Sequence, residues 1–126
     1  MGCPFCGRVT SRDVIAENAL AAAFEDAFPV ADGHTLVVPR RHETSLLRLS
    51  ASERCALWEL VAEMQHRIAR AQDTDAFTIG VNDGAAAGQT VEHVHVHVIP
   101  RRAGDVSDAR GGVRWVIPDK AAYWTQ

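Results

Sequence analysis

No apolar run in this sequence approaches the roughly 20 residues that a helix needs to cross a bilayer. The N-terminus lacks the basic and apolar regions of a secretory signal. These absences lead to the expectation of a cytoplasmic protein with no membrane partner. Three cysteines argue against a disulfide framework, and in the cytoplasm they read as metal ligands or reduced thiols. There is no excess of basic charge. With 13 Lys+Arg against 16 Asp+Glu, nucleic acid is not an expected partner, and an anionic ligand would need local donors. No repeat, low-complexity segment or linker interrupts the chain. No Walker lysine follows a glycine-rich loop. At 126 residues the expectation is a single domain, 1–126, with one core.

What is present is concentrated between Gln89 and Arg101, where His93, His95 and His97 alternate with Val94, Val96 and Val98. β-Branched residues in strict alternation read as a strand. Successive side chains of a strand point to opposite faces, so the histidines share one face and the valines enter a core from the other. Three imidazoles on one face are costly to bury unless each has a partner. Three uses suit them: a metal site, solvated side chains on an open sheet face, or nucleotide chemistry. The flanking residues favour the third. Asn82-Asp83-Gly84 and Gly88-Gln89-Thr90 surround a loop of small residues, where backbone N–H groups and side chains can approach phosphate oxygens.

This constellation resembles the histidine triad family, whose motif is His-x-His-x-His followed by two apolar residues. The resemblance implies an α+β fold: an antiparallel sheet of about five strands with a main helix packed on it, paired into a homodimer. It implies a nucleotide hydrolase or transferase acting at the α-phosphate of adenosine or other purine nucleotides. Diadenosine polyphosphates and nucleoside phosphoramidates are the expected substrates. His95 would attack phosphorus, held by a hydrogen bond from its other ring nitrogen to the His93 carbonyl. His97 and His34 would donate to phosphate oxygens or to the leaving group. Asp26 would accept from the ribose hydroxyls, while Asn82, Gly88, Gln89 and Thr90 would bind nucleotide. The Gly-Gln-Thr form and the Ile99-Pro100-Arg101 ending resemble the diadenosine-polyphosphate-cleaving branch more than the phosphoramidase branch. An alternative is a nucleotide-binding protein, stabilised by zinc, that turns over negligibly. A third reading makes the triad ligands of a catalytic metal.

Cys3-Pro4-Phe5-Cys6 places two thiols where both reach one tetrahedral ion, and by itself this loop does not separate zinc from redox use. The resemblance supplies the other ligands: zinc-containing relatives imply a structural site of Cys3, Cys6, His42 and His93. Residues 14–28 are alanine-rich, which favours helix, whereas the resemblance implies two short strands turning near Glu17-Asn18. His34–Pro39 and Phe77–Asn82 read as strands, and Gly111–Pro118 as a further short one. Ser50 and Glu53 form a capping-box pattern, followed by an apolar stripe of Leu57, Leu60, Val61, Met64 and Ile68. Glu63 and Arg67 are spaced to pair on the exposed side. Cys55 and Trp58 are expected in the core or in dimer contacts, and His66 in solvent. In the family the C-terminal residues often reach the partner's site, and the aromatic tail here is long enough to do so.

Overall fold

The computed structural model describes residues 2–125. Five antiparallel strands form one sheet: β1 (Ala16–Glu17), β2 (Ala21–Glu25), β3 (Thr35–Pro39), β4 (Ala76–Val81) and β5 (Val96–Arg101). They lie in the order β1-β2-β3-β5-β4, so β5 lies inside the sheet between β3 and β4, and β4 is an edge. Helix propensity loses over residues 14–28. The Asn18 side-chain oxygen accepts from the Leu20 and Ala21 N–H groups and closes a tight turn, and alanines 21–23 are fully buried beneath neighbours. Small side chains there serve close packing.

Helix α2 (Ala51–Gln72) starts where the sequence says it should. Ser50 accepts from the Glu53 N–H, Glu53 accepts from the Ser50 N–H, and Asp73 ends the helix in the left-handed region at φ 52°. Leu57, Leu60, Val61, Met64 and Ile68 are buried against one face of the sheet, together with Val94, Val96 and Val98. Each such side chain contributes about 1.5–3 kcal/mol on burial. Glu63 and Arg67 pair across one turn on the exposed side. Cys55 and Trp58 are not in this core: both are exposed, Trp58 by 44%, and His66 is exposed as expected.

The opposite face of the sheet has two separate covers. Helix α1 (Pro4–Thr10) lies over β2 and β3, with Phe5 and Val9 packed on Phe24, Leu36, Val38 and Ala22. The Cys-x-x-Cys segment is therefore the first turn of a helix rather than a loop: Cys3 caps it, its sulfur accepting from the Cys6 N–H at 3.4 Å. The second cover is the C-terminal segment. The strand expected over Gly111–Pro118 is absent; Gly112–Val116 forms 3-10 turns, followed by the short helix α3 (Pro118–Ala121). Gly111 and Gly112 take positive φ (89° and 45°), which breaks the extended pattern. Arg110 stacks on Trp124 and Arg114 on Tyr123, so the aromatic tail packs against its own chain.

The histidine stretch is also shorter as a strand than its alternation suggests. Ladder pairing begins at Val96; before it, the Val94 N–H bonds to the Glu43 carbonyl at 2.8 Å. The alternation of faces nonetheless persists from Val94 to Val98, with the valines fully buried on the α2 side.

Candidate active site and metal centre

His34, His95 and His97 sit in the gap between the two covers, joined by short contacts. His95 and His97 ring centroids are 5.1 Å apart, and those of His34 and His97 are 5.2 Å apart. Partners with only one possible role fix each tautomer. The Val30 N–H can only donate, so His34 Nδ1 accepts it at 3.1 Å, and neutral His34 carries its proton on Nε2. That N–H donates to His97 Nδ1 at 2.9 Å, leaving the His97 proton on Nε2. The His93 carbonyl can only accept, so His95 Nδ1–H donates to it at 2.8 Å and His95 Nε2 holds a free lone pair. Burial pushes the pKa values of His34 and His97 below the ordinary histidine value, for His97 with help from neighbouring His95 and His34. That direction favours the neutral forms on which this chain of hydrogen bonds depends.

A cavity of about 380 Å³ opens beneath α1, lined by His95, His97, Asp26, Asn82, Gly88 and Thr90, with Phe5, Arg8, Phe28 and Val91. The structure thus brings together nearly all the residues singled out for nucleotide. Asp26 accepts from the Phe28 N–H at 2.8 Å, and its other oxygen lies 3.4 Å from His34 Nε2. Gln89 differs. Its oxygen accepts from the Gly84 N–H, while its NH2 donates to the Thr44 and Val91 carbonyls. The side chain is spent on holding the loop, in which Gly88 has φ +93°. Residue-level reasoning missed Phe5, whose ring meets His95 edge-on at 5.0 Å. Its position inside the Cys-x-x-Cys turn was the one available signal.

The second cluster lies on the far side of Phe5. Cys3, Cys6, His42 and His93 offer four ligand atoms that all lie within 4.8 Å of one another. Cys3 Sγ is 3.4 Å and Cys6 Sγ 3.5 Å from His93 Nδ1, and Cys6 Sγ is 3.3 Å from His42 Nδ1. A tetrahedron with bonds of about 2.0–2.3 Å has edges of about 3.3–3.8 Å, so these spacings fit zinc. His93 Nε2–H donates to the Pro39 carbonyl at 2.8 Å, which turns the Nδ1 lone pair toward the sulfurs. Arg41 binds Glu53 through two hydrogen bonds (2.9 and 3.0 Å), fixing the segment that carries His42 to α2; the guanidinium holds the Glu53 carboxyl down at about 2. Burial, then the adjoining Cys3, pushes the Cys6 thiol up, so paired thiolates there call for a cation. Asp26, His34 and His97 also lie close enough to ligate, but the hydrogen bond between the two imidazoles occupies the nitrogens a metal would need.

Residues 8–104 match the model of the HIT domain, and the chain belongs to the HIT family. Over 95 residues it is 42% identical to the asymmetrical bis(5'-nucleosyl)-tetraphosphatase of Schizosaccharomyces pombe, covering 75% of this chain and 52% of that protein. The chain therefore spans about half the length of the fission yeast enzyme. An uncharacterised HIT-like protein of Mycobacterium tuberculosis is also 42% identical, across 97% of this chain and 88% of its own. Among solved structures, a zinc-bound histidine triad family protein from Mycobacterium smegmatis superposes with a TM-score of 0.78 at 32% identity, covering 86% of this chain and 81% of that one. No described helix is long and apolar enough to cross a membrane.

Proposed function

We propose that this protein is a nucleotide hydrolase or transferase that cleaves at the α-phosphate of purine nucleotides, with His95 as nucleophile. The observation that carries this reading is the tautomer chain. His95 offers an unprotonated Nε2 to the cavity, and His97 beside it carries an Nε2–H. A neutral imidazole attacks an anionic phosphorus centre without charge repulsion and leaves a hydrolysable intermediate.

In the first step the His95 Nε2 lone pair forms a bond to phosphorus, and the bond to the leaving group breaks with its electron pair. The His95 Nδ1–H donated to the His93 carbonyl stabilises the positive ring that results. His97 Nε2–H donates to a phosphate oxygen, and His34 keeps that proton in place. An amine leaves with one proton drawn through solvent. Water then attacks phosphorus, releases the nucleoside monophosphate and gives one proton back. Asp26 accepts from the ribose, Asn82, Gly88 and Thr90 contact the nucleotide, and Gln89 acts by holding the loop that presents them. The resemblance of the chain to a bis(5'-nucleosyl)-tetraphosphatase supports this class of substrate.

Cys3, Cys6, His42 and His93 would hold a structural zinc ion. Four protein ligands close the site, so its contribution is to tie α1, and with it Phe5, to the triad strand. The zinc-bound mycobacterial relative supports this assignment. A homodimer is supported by the edge position of β4, which pairs with β5 alone among the described strands, and by the exposed Trp58 of α2.

The test is turnover of diadenosine tetraphosphate and of an adenosine phosphoramidate by wild type and His95→Ala, each with and without brief EDTA treatment. Activity lost in the variant but retained after brief chelation supports the reading. Equal rates for variant and wild type would remove His95 from the reaction, and immediate loss with EDTA would make the metal catalytic.

A further inference from the structure

The connection between β3 and α2 contains four consecutive residues that each touch a different part of the site. His42 Nδ1 lies 3.3 Å from Cys6 Sγ. The Glu43 carbonyl accepts from the Val94 N–H at 2.8 Å, and the Thr44 carbonyl accepts from the Gln89 amide at 3.0 Å. The Ser45 hydroxyl donates to Asp83 at 3.2 Å. No helix or strand includes these residues, so side chains must keep them in place.

The bond to Glu43 bears most directly on the chemistry. Residues 93–95 precede the paired part of β5, which starts at Val96, so the sheet ladder does not orient them. The peptide group joining His93 to Val94 is planar and trans, and its carbonyl and N–H therefore point in opposite directions. The carbonyl receives the His95 Nδ1–H at 2.8 Å. The N–H of the same group donates to Glu43. Holding one end of the peptide plane aims the other. A rotation of that plane would take the acceptor away from His95 Nδ1, and with it the preference that leaves the lone pair on Nε2.

Arg41 holds Glu43 in place. Its guanidinium grips Glu53, in the first turn of α2, through bonds of 2.9 and 3.0 Å. It also donates to the Glu43 carboxylate at 3.2 Å and to the Arg48 carbonyl at 3.1 Å. The Glu53 side chain is only 11% exposed, so a shielded carboxylate anchors a two-pronged grip. We infer that Arg41 is a positioning residue for the reaction: clamped to Glu53, it fixes the Glu43 carbonyl, and through it the peptide plane that orients His95. Arg41 does not line the nucleotide cavity, so its effect is exerted through the backbone alone. The inference rests on the proposed role of His95 and adds to it the device that aims the ring.

The test compares Arg41→Gln, Glu53→Gln, the double variant and Ser50→Ala with wild type, all zinc-replete and well below their melting temperatures. Two quantities are followed: turnover of an adenosine phosphoramidate, and amide hydrogen exchange at Val94 and at Leu60 by NMR. Arg41→Gln should lower kcat by about 10- to 100-fold, the effect of a misplaced reacting group. KM should move much less, because Gln89 keeps its bonds to the Gly84 N–H and the Val91 carbonyl. Exchange at Val94 should quicken by at least about tenfold while Leu60, inside α2, keeps its rate. Glu53→Gln retains an acceptor for the helix cap and should match Arg41→Gln, with the double variant no worse than either. Ser50→Ala weakens the same helix end without touching the pair and should keep the wild-type kcat. Three results would overturn the inference: an unchanged kcat in Arg41→Gln, a kcat loss without faster exchange at Val94, or an equal loss in Ser50→Ala. Wild-type turnover no faster than that of His95→Ala would bring down the underlying reaction instead, and Val94 exchange would still report whether Arg41 holds the peptide plane.

Discussion

The two faces of this sheet are built from the same strands yet do different work. One face meets a single 22-residue helix, and its side chains form one continuous apolar cluster. The other is divided between a seven-residue helix and an irregular C-terminal segment, with three imidazoles in the gap. A continuous cover excludes water and contributes stability. A split cover leaves cavities and keeps polar groups within reach of a ligand. The lesson is that chemistry here depends on incomplete packing on one side, and the complete packing on the other supplies the stability that tolerates it.

Substitutions that act on one face alone would test this division most directly. On the open face, His95→Ala should lower kcat by on the order of 10⁴-fold or more, with the thermal midpoint little changed, as steady-state kinetics and calorimetry would show. On the closed face, Leu60→Ala, fully inside the α2 cluster, should cost about 2–5 kcal/mol in urea unfolding and leave activity per folded molecule intact. If Leu60→Ala abolished catalysis in the folded protein, the division of labour would fail.

Prolonged chelation addresses the tie between α1 and the triad strand on the open face. Removing the proposed zinc from Cys3, Cys6, His42 and His93 should lower the melting temperature by several degrees, each kcal/mol lost being worth about 4 °C in a domain of this size. Activity should disappear only as α1 and Phe5 come away. The reverse order, activity first and stability later, would show that the cluster takes part in the reaction.

A smaller effect is expected from pH. The folded-state pKa values of His34 and His97 are lowered by burial, so the unfolded chain binds protons more readily than the native one. Stability therefore rises with pH between the depressed native values and the ordinary histidine value of about 6.5, and falls as the solution is acidified through that window. The activity profile should keep a plateau to below the ordinary value before its acid limb. In His34→Gln, which loses one titrating member of the pair, the acid limb should shift. The smallest effect should come from Ser50→Ala, a cap loss of about 1 kcal/mol confined to the closed face.

Several of these features were already present in the sequence. The β-branched alternation determined that Val94, Val96 and Val98 face a core opposite the histidines, because a strand's period of two allows nothing else. The Ser50–Glu53 box and the stripe from Leu57 to Ile68 determined a helix and the side it buries. The triad and its loop carried the family. Residues 14–28 show the limit of local preference, since alanines that favour a helix in isolation became strands once neighbouring strands and α2 buried them. Gly111–Pro118 shows it again: Val113, Trp115, Val116 and Ile117 read as strand, but two positive-φ glycines turn the chain and the segment meets β4 without pairing to it.

The resemblance already implied the His93 carbonyl as the partner of His95, but only the tertiary structure decided which nitrogen of His34, His93 and His97 holds its proton. The partners that settle it are the Val30 N–H and the Pro39 carbonyl, and the His34–His97 bond joins residues 63 apart in sequence. Tertiary structure likewise committed the Gln89 amide to its own loop, set Phe5 against His95, and paired Arg101 with Asp105 and Arg110 with Asp108. Periodicity is a property of neighbours along the chain, so a sequence can state it; a proton's position and an arginine's partner depend on groups brought together only by folding.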